Sequence, residues 1–310
     1  MGKNIQTGDI VIFDGGDNWI SKSICWLTKS TVSHAAMVYE GETIVEMGMS
    51  GISVSSFETA KGNDAHIMRL LGDKPSAPLA AAAKRYIDAG ISYDFPALIL
   101  LAGLLIYKDV RPTPRWQKVT DTVLLLAGLA ADKLLNEIVQ KGADKKAMVC
   151  SQLVYQIYLD CGKDYTIEIG KLLEAPAPDQ AINMDGFITL ANLLKARQDT
   201  ADYNSAQTVC VGDSSPLLEM DSEALYRELY EALTEAESES SLDNGLDLAA
   251  GSLVDILDKA KAFLDKMERL LELVHLDIPI PALFVTPADL YQKAANLEHV
   301  GDTHINRVKK

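Results

Sequence analysis

Lys145-Lys146-Ala147-Met148-Val149-Cys150-Ser151-Gln152-Leu153-Val154-Tyr155-Gln156-Ile157-Tyr158 is the stretch on which the reading of the whole chain turns. Leu153, Val154, Ile157 and Tyr158 recur at helical spacing, so the segment predicts a helix with one apolar face. Cys150 falls in its first turn, where free backbone N–H groups and the macrodipole favour an anion. A thiol so placed carries more thiolate, and the thiolate is the nucleophile. By residue type alone a cysteine is more often a small core residue than a catalyst. A catalytic one needs a base within hydrogen-bond reach and a third group to orient that base.

The candidate base is His34. It opens the apolar run Ala35-Ala36-Met37-Val38, where a histidine has no packing reason to be. The candidate orienter is Glu46. Val32 to Tyr39 and Thr43 to Met47 flank a short Gly-containing turn at Glu40-Gly41-Glu42, the pattern of a hairpin. A turn centred near residue 41 puts His34 and Glu46 roughly opposite, and residues facing one another across a ladder can touch. A carboxylate there would hold the tautomer of the imidazole and stabilise its charged form.

The chain has 310 residues, enough for one elaborated domain or two, and its 48% hydrophobic and 24% charged content is globular. Four cysteines without a Cys-x-x-Cys pair give neither a disulfide framework nor a zinc motif, and no cofactor or metal is expected. The net charge of −15 is lopsided: the first 165 residues carry 17 basic against 18 acidic groups, the remainder 12 against 26. Such a balance excludes binding to nucleic-acid phosphates. The acidic half reads as a solvated face, with a protein partner as the alternative. Met1 to Gln6 runs into a strand with no basic segment followed by an apolar one, so a protein cytoplasmic as synthesised is expected. The longest apolar run, Phe95 to Tyr107, is too short to span a bilayer.

Taken in order, Thr7 to Gly16 predicts a buried strand, and Trp19 to Thr28 a helix capped by Asp17. After the hairpin, Gly48 to Ser56 and Ala65 to Leu71 predict two further strands. His66 opens the second and shows no obvious acid partner, which makes it a structural histidine. Ser76 caps an Ala-rich helix that Gly90 stops. Two greasy helices follow, Phe95 to Tyr107 and about 116 to 140. They read as a hairpin packed on the core rather than as a lid beside an acyl chain or membrane surface. Ala175-Pro176-Ala177-Pro178 is an elbow. Helices are expected over Ile182 to Ala196, Met220 to Ser238 and Leu253 to Val274, with a polar loop from Arg197 to Pro216. Ile278-Pro279-Ile280-Pro281 ends that unit. Thr286 then caps a last short helix with Pro287 at its first position. The expected domains are a core over 1–165 with an apolar insertion at about 95–140, an acidic helical insertion over 166–280, and a returning segment over 281–310.

Gly8-Asp9, Ser33-His34-Ala35-Ala36-Met37-Val38, Glu46, Tyr93-Asp94-Phe95 and Cys150-Ser151-Gln152-Leu153-Val154, in that order, resemble the circularly permuted NlpC/P60 (papain-like) proteins. These are the YaeF/YiiX-type amidases, related to the lecithin:retinol acyltransferases. The His-bearing hairpin precedes the Cys helix, the reverse of papain's order, and Thr286-Pro287-Ala288-Asp289-Leu290 looks like the family's closing segment. The departures are the long apolar stretch between Tyr93 and Cys150, the large insertion, and a Glu where the acyltransferases carry a second His. The resemblance implies an α+β fold, a small antiparallel sheet or open barrel packed on the Cys helix. It implies a Cys150–His34–Glu46 triad working through a thioester acyl-enzyme, most simply as an amidase or peptidase on cell-wall-type peptides. With no export signal, such an enzyme would leave by a dedicated secretion system, as a secreted antibacterial effector does. A lipid acyl hydrolase or acyltransferase, and a non-catalytic scaffold holding a protein partner, stay open beside it.

Overall fold

The computed structural model describes residues 5–109, 114–141, 147–170, 250–274 and 285–309, with isolated helical positions between 224 and 234. The chain is α+β, an antiparallel sheet with a substantial helical portion. It divides into two compact units: Met1–Asp94 with Asp144–Leu172 and Ile278–Lys310, and Phe95–Ala143 with Leu173–Asp277.

The first unit is built on β1 (Ile10–Asp14), β2 (Val32–Val38), β3 (Thr43–Gly48), β4 (Gly51–Leu70) and β7 (Leu297–Lys309), in spatial order β1-β2-β3-β4-β7. β1, β2 and β3 are rich in Val, Ile and small residues that suit a pleated, buried surface. The two extended pieces expected over 48–56 and 65–71 are one 20-residue strand. Its first part pairs with β3 and its second with β1, so β4 bends around and joins the two ends of the first four strands. The β3–β4 turn is tight: Gly48 pairs with Gly51. A side chain at Gly51 is barred twice over, by a φ of 97° and by the Ile91 carbonyl 2.9 Å from where its Cβ would sit.

Closure gives the sheet two apolar faces of alternate residues. The inner one gathers Val11, Phe13, Ala36, Val38, Ile44 and Ile67. The outer one, with Ile10, Ile12, Met37, Val45 and Met68, receives Leu153, Val154, Ile157 and Tyr158 of α5 (Cys150–Leu159). Fully burying each such side chain is worth about 1.5–3 kcal/mol. Tyr158 Oη donates to the Gly8 carbonyl and ties the end of α5 to the approach to β1. Asp9, next to it, is buried and held by two hydrogen bonds from Arg69, at 2.7 and 2.8 Å. β5 (Ser92–Tyr93) and β6 (Ala147–Met148) form a short parallel pair leading into Cys150.

The first unit also holds α1 (Trp19–Thr28), α2 (Ala77–Ala89) and α7 (Pro287–Gln292). The cap of α1 is Asn18, whose side chain accepts from the Ser21 N–H at 2.9 Å, and not Asp17. Ser76 stands at the N-cap of α2 without a side-chain capping bond. Thr286 caps α7 as its sequence predicts. Its hydroxyl accepts from the Asp289 N–H at 3.0 Å, and its own N–H donates to Asp289 Oδ2 at 2.9 Å.

The second unit contains α3 (Phe95–Asp109), α4 (Pro114–Lys141) and α6 (Ala250–Val274). The apolar residues of α3 and α4, among them Ile99, Leu100, Val123 and Leu126, are buried where the two helices meet. Phe263 and Met267 of α6 are buried where that helix packs on α4. Lys259 and Lys266 pair with Asp121 and Asp132 of α4 at 2.6 Å each. Among the described residues no helix is long and apolar enough to cross a membrane. The elbow at 175–178, the helix expected over 182–196, the loop over 197–216, most of the helix expected over 220–238 and the segment 278–281 lie outside the described residues.

Candidate active site

Cys150 is the first residue of α5 and is buried. The apolar face of the helix fixes its rotation on the sheet. Its first turn is anchored separately: Ser151 Oγ donates to the Val285 carbonyl at 2.6 Å, and Gln152 Oε1 accepts from the Val149 N–H at 3.4 Å. The segment that closes the chain thus steadies the start of the cysteine helix, through Val285 and the capping box beside it.

His34 sits on β2 beside a bulge. Phe13 pairs with His34 but Asp14 pairs with Val32, so Ser33 is an extra residue in the ladder. Bulges of this kind re-aim neighbouring side chains and collect near functional sites. The His34 ring lies 5.7 Å from the Phe13 ring, and its Nε2 lies 2.9 Å from Glu46 Oε2. The two residues are not directly opposite. Glu46 pairs with Ala36, so the contact with His34 runs on the diagonal of the β2–β3 ladder. Long side chains reach that far when they share a face. With Nε2 given to Glu46, Nδ1 is the nitrogen left for a second partner.

The Cys150 thiol lies close enough to His34 for each group to shift the other's pKa. Burial alone would raise the thiol pKa. The charge and hydrogen bond of His34, with backbone N–H groups of Ala35 and Ser151, bring it below its usual value of 9.0 instead. Burial alone would likewise lower His34. The Cys150 charge and hydrogen bond, followed by those of Glu46, lift it from 6.5 to about 9. Both shifts act toward a thiolate–imidazolium pair.

Glu46 is buried, and burial pushes its carboxyl up. Its bond to His34, the His34 and Arg307 charges and the Ser55 hydroxyl outweigh that and hold it at about 2. Ser55 Oγ donates to Oε1 and Arg307 Nη1 to Oε2, both at 2.9 Å. The Arg307 guanidinium also lies 4.6 Å over the Phe13 ring, a cation–π contact. Ser55 and Arg307 are absent from the sequence reading. Arg307 lies on β7, a 13-residue strand within the segment expected only to return to the core. Cys25 and Cys161 are half-buried, and each thiol donates to a carbonyl, of Thr31 and Ile157.

His66 does have acid partners. Its Nδ1 is 2.7 Å from Asp302 and its Nε2 is 3.2 Å from Asp14. Asp302 comes from β7, far along the chain, beyond the reach of any local pattern around His66. No family model, curated protein or solved structure matches this chain.

Proposed function

We propose that the chain is a cysteine hydrolase with a permuted papain-like core, acting on amides through a thioester acyl-enzyme. The observation that carries this reading is the meeting of Cys150, His34 and Glu46. The thiol pKa lies below its usual value and the imidazole pKa above its own. The Cys150 thiolate attacks the acyl carbon. The N–H of Cys150 is one of those that helix geometry leaves without an intrahelical carbonyl, and it helps hold the oxyanion. The His34 imidazolium gives its proton to the leaving nitrogen as the C–N bond breaks, which leaves a thioester and a neutral imidazole. His34 then takes a proton from water, whose oxygen attacks the thioester. The C–S bond breaks, the acid leaves, and the thiolate–imidazolium pair is restored. Glu46 orients His34 and stabilises its charge throughout. A peptide of the cell-wall type is the substrate that the family resemblance implies.

The test is intact-mass labelling with limiting alkylator at about pH 6, where an ordinary thiol is almost wholly protonated. Cys150 should label first of the four cysteines, and His34→Ala should slow it sharply. Incubation with muropeptide amides and, separately, with acyl lipids should then leave a covalent adduct on Cys150 with one class. Labelling of Cys150 no faster than Cys25 or Cys161 would remove the base from the scheme. An adduct with lipids alone would reassign the substrate.

A further inference from the structure

The outer face of the sheet carries a second histidine–carboxylate cluster that takes no part in the chemistry above. On β4, His66 pairs with Ile12 of β1 on one side and Asp302 of β7 on the other. On β7 the ladder skips Val300: Ile67 pairs with Gly301 but Met68 with His299. Residues three apart in an unbroken strand point to opposite faces. The extra residue cancels that, so His299 and Asp302 share a face with His66. Gly301 has a φ of 146°, a conformation that side-chain-bearing residues rarely adopt.

The ligand atoms converge. Asp302 Oδ1 lies 2.7 Å from His66 Nδ1 and 2.6 Å from His299 Nε2, and one atom from each residue falls within 4.8 Å of the others. The other nitrogen of His66, Nε2, lies 3.2 Å from Asp14 Oδ1. Tyr291 of α7 stacks on the His66 ring at 4.4 Å and brings its hydroxyl to 3.4 Å from Nδ1.

We propose that His66 Nδ1, His299 Nε2 and Asp302 Oδ1 bind a divalent transition-metal ion of the zinc class, with Asp14 as the carboxylate behind His66. The contacts of His66 fit such a site. A neutral imidazole has one N–H to give, yet His66 meets a carboxylate at each nitrogen. A metal at Nδ1 resolves this: Nε2 keeps its proton and donates it to Asp14. That carboxylate–histidine–metal arrangement is the usual support of a histidine ligand. Two imidazoles and a carboxylate suit zinc, cobalt or nickel and give no advantage to magnesium or calcium. Ligands on a tetrahedral ion stand about 3.3 Å apart, so the Asp302 oxygen must withdraw by less than about 1 Å. Its side chain is 66% exposed and has room to do so. Binding would tie β1, β4 and β7 together in register.

The experiment uses the full, tag-free, chelator-stripped chain in Cys150→Ser form, so that the thiolate–imidazolium pair cannot take the ion. Titration with cobalt, read by its visible absorption, and with zinc, read by calorimetry, should show one saturable equivalent that excess magnesium does not displace. His299→Ala should abolish it, Asp302→Asn should weaken it severely, and Asp14→Asn should weaken it 10- to 100-fold. Zinc should also raise the thermal midpoint of the Cys150→Ser chain, a readout that needs no further variant. Absence of saturable uptake and of any midpoint rise overturns the proposal. Uptake that survives both His299→Ala and Asp302→Asn overturns it equally. Neither result bears on the acyl-transfer reading, which uses other residues.

Discussion

His34 and His66 sit on different strands of one closed sheet, each in contact with carboxylates, yet their surroundings differ in kind. His34 faces a buried carboxylate whose oxygens are already taken by Ser55 and Arg307. Glu46 therefore stays ionised where burial alone would have neutralised it. Its position is fixed from three sides, and it can do little except orient the imidazole. His66 faces Asp302, whose side chain is mostly exposed and whose one oxygen serves two imidazoles. The contact is similar at 2.9 and 2.7 Å. What separates the two carboxylates is burial and the nature of the donors that hold each one.

The largest effect comes from emptying the buried cluster. His34→Ala should cut Cys150 alkylation at about pH 6 by roughly 100-fold, because the thiolate loses its counter-charge. The check is the rate of single-site labelling by mass. Glu46→Gln should follow, lowering turnover of a responsive substrate by roughly 10- to 100-fold with little change in KM. An unchanged kcat would show that Glu46 is only structural.

Stability against pH sharpens the comparison. The Glu46 carboxyl is lowered from 4.5 to about 2, so its contribution is present above 4.5 and is lost as pH falls toward 2. Denaturant unfolding across that window should show a loss on the order of 2 kcal/mol that Glu46→Gln removes. Cys150 and His34 behave differently. Raised His34 adds stability that is complete below 6.5 and lost as pH rises through about 9. Lowered Cys150 adds stability that is complete above 9.0 and lost as pH falls through its folded value. The two contributions run in opposite directions with pH, so the pair's share of stability should vary less with pH than either group's alone. The smallest change is expected at the latch beside Cys150. Thr286→Ala removes a capping hydroxyl and should cost about 1 kcal/mol, measured by the same unfolding curves.

Much of the first unit was legible in advance. The helix over Trp19–Thr28, the hairpin of β2 and β3, the cysteine helix and the Thr286 cap are all local patterns, and local patterns survive into the fold. The misses were non-local. β4 looked like two strands because its bend falls in a polar stretch, Glu58 to Asp64. β7 was missed because its pairing, not its composition, makes it a strand.

The sequence by itself determined where Cys150 stands, since a cysteine at a helix start is written in the spacing of Leu153, Val154, Ile157 and Tyr158. It also named His34 and Glu46, because a hairpin brings its own residues together over a short span. Only the tertiary structure decided that Glu46 reaches His34 on the diagonal, and that Ser55 and Arg307 keep it charged. It alone supplied Asp302 and His299 to His66, across more than two hundred residues of chain. The reason is physical: helix periodicity and turns act between near neighbours, whereas the field at a buried group is set by whatever strand the closed sheet lays against it.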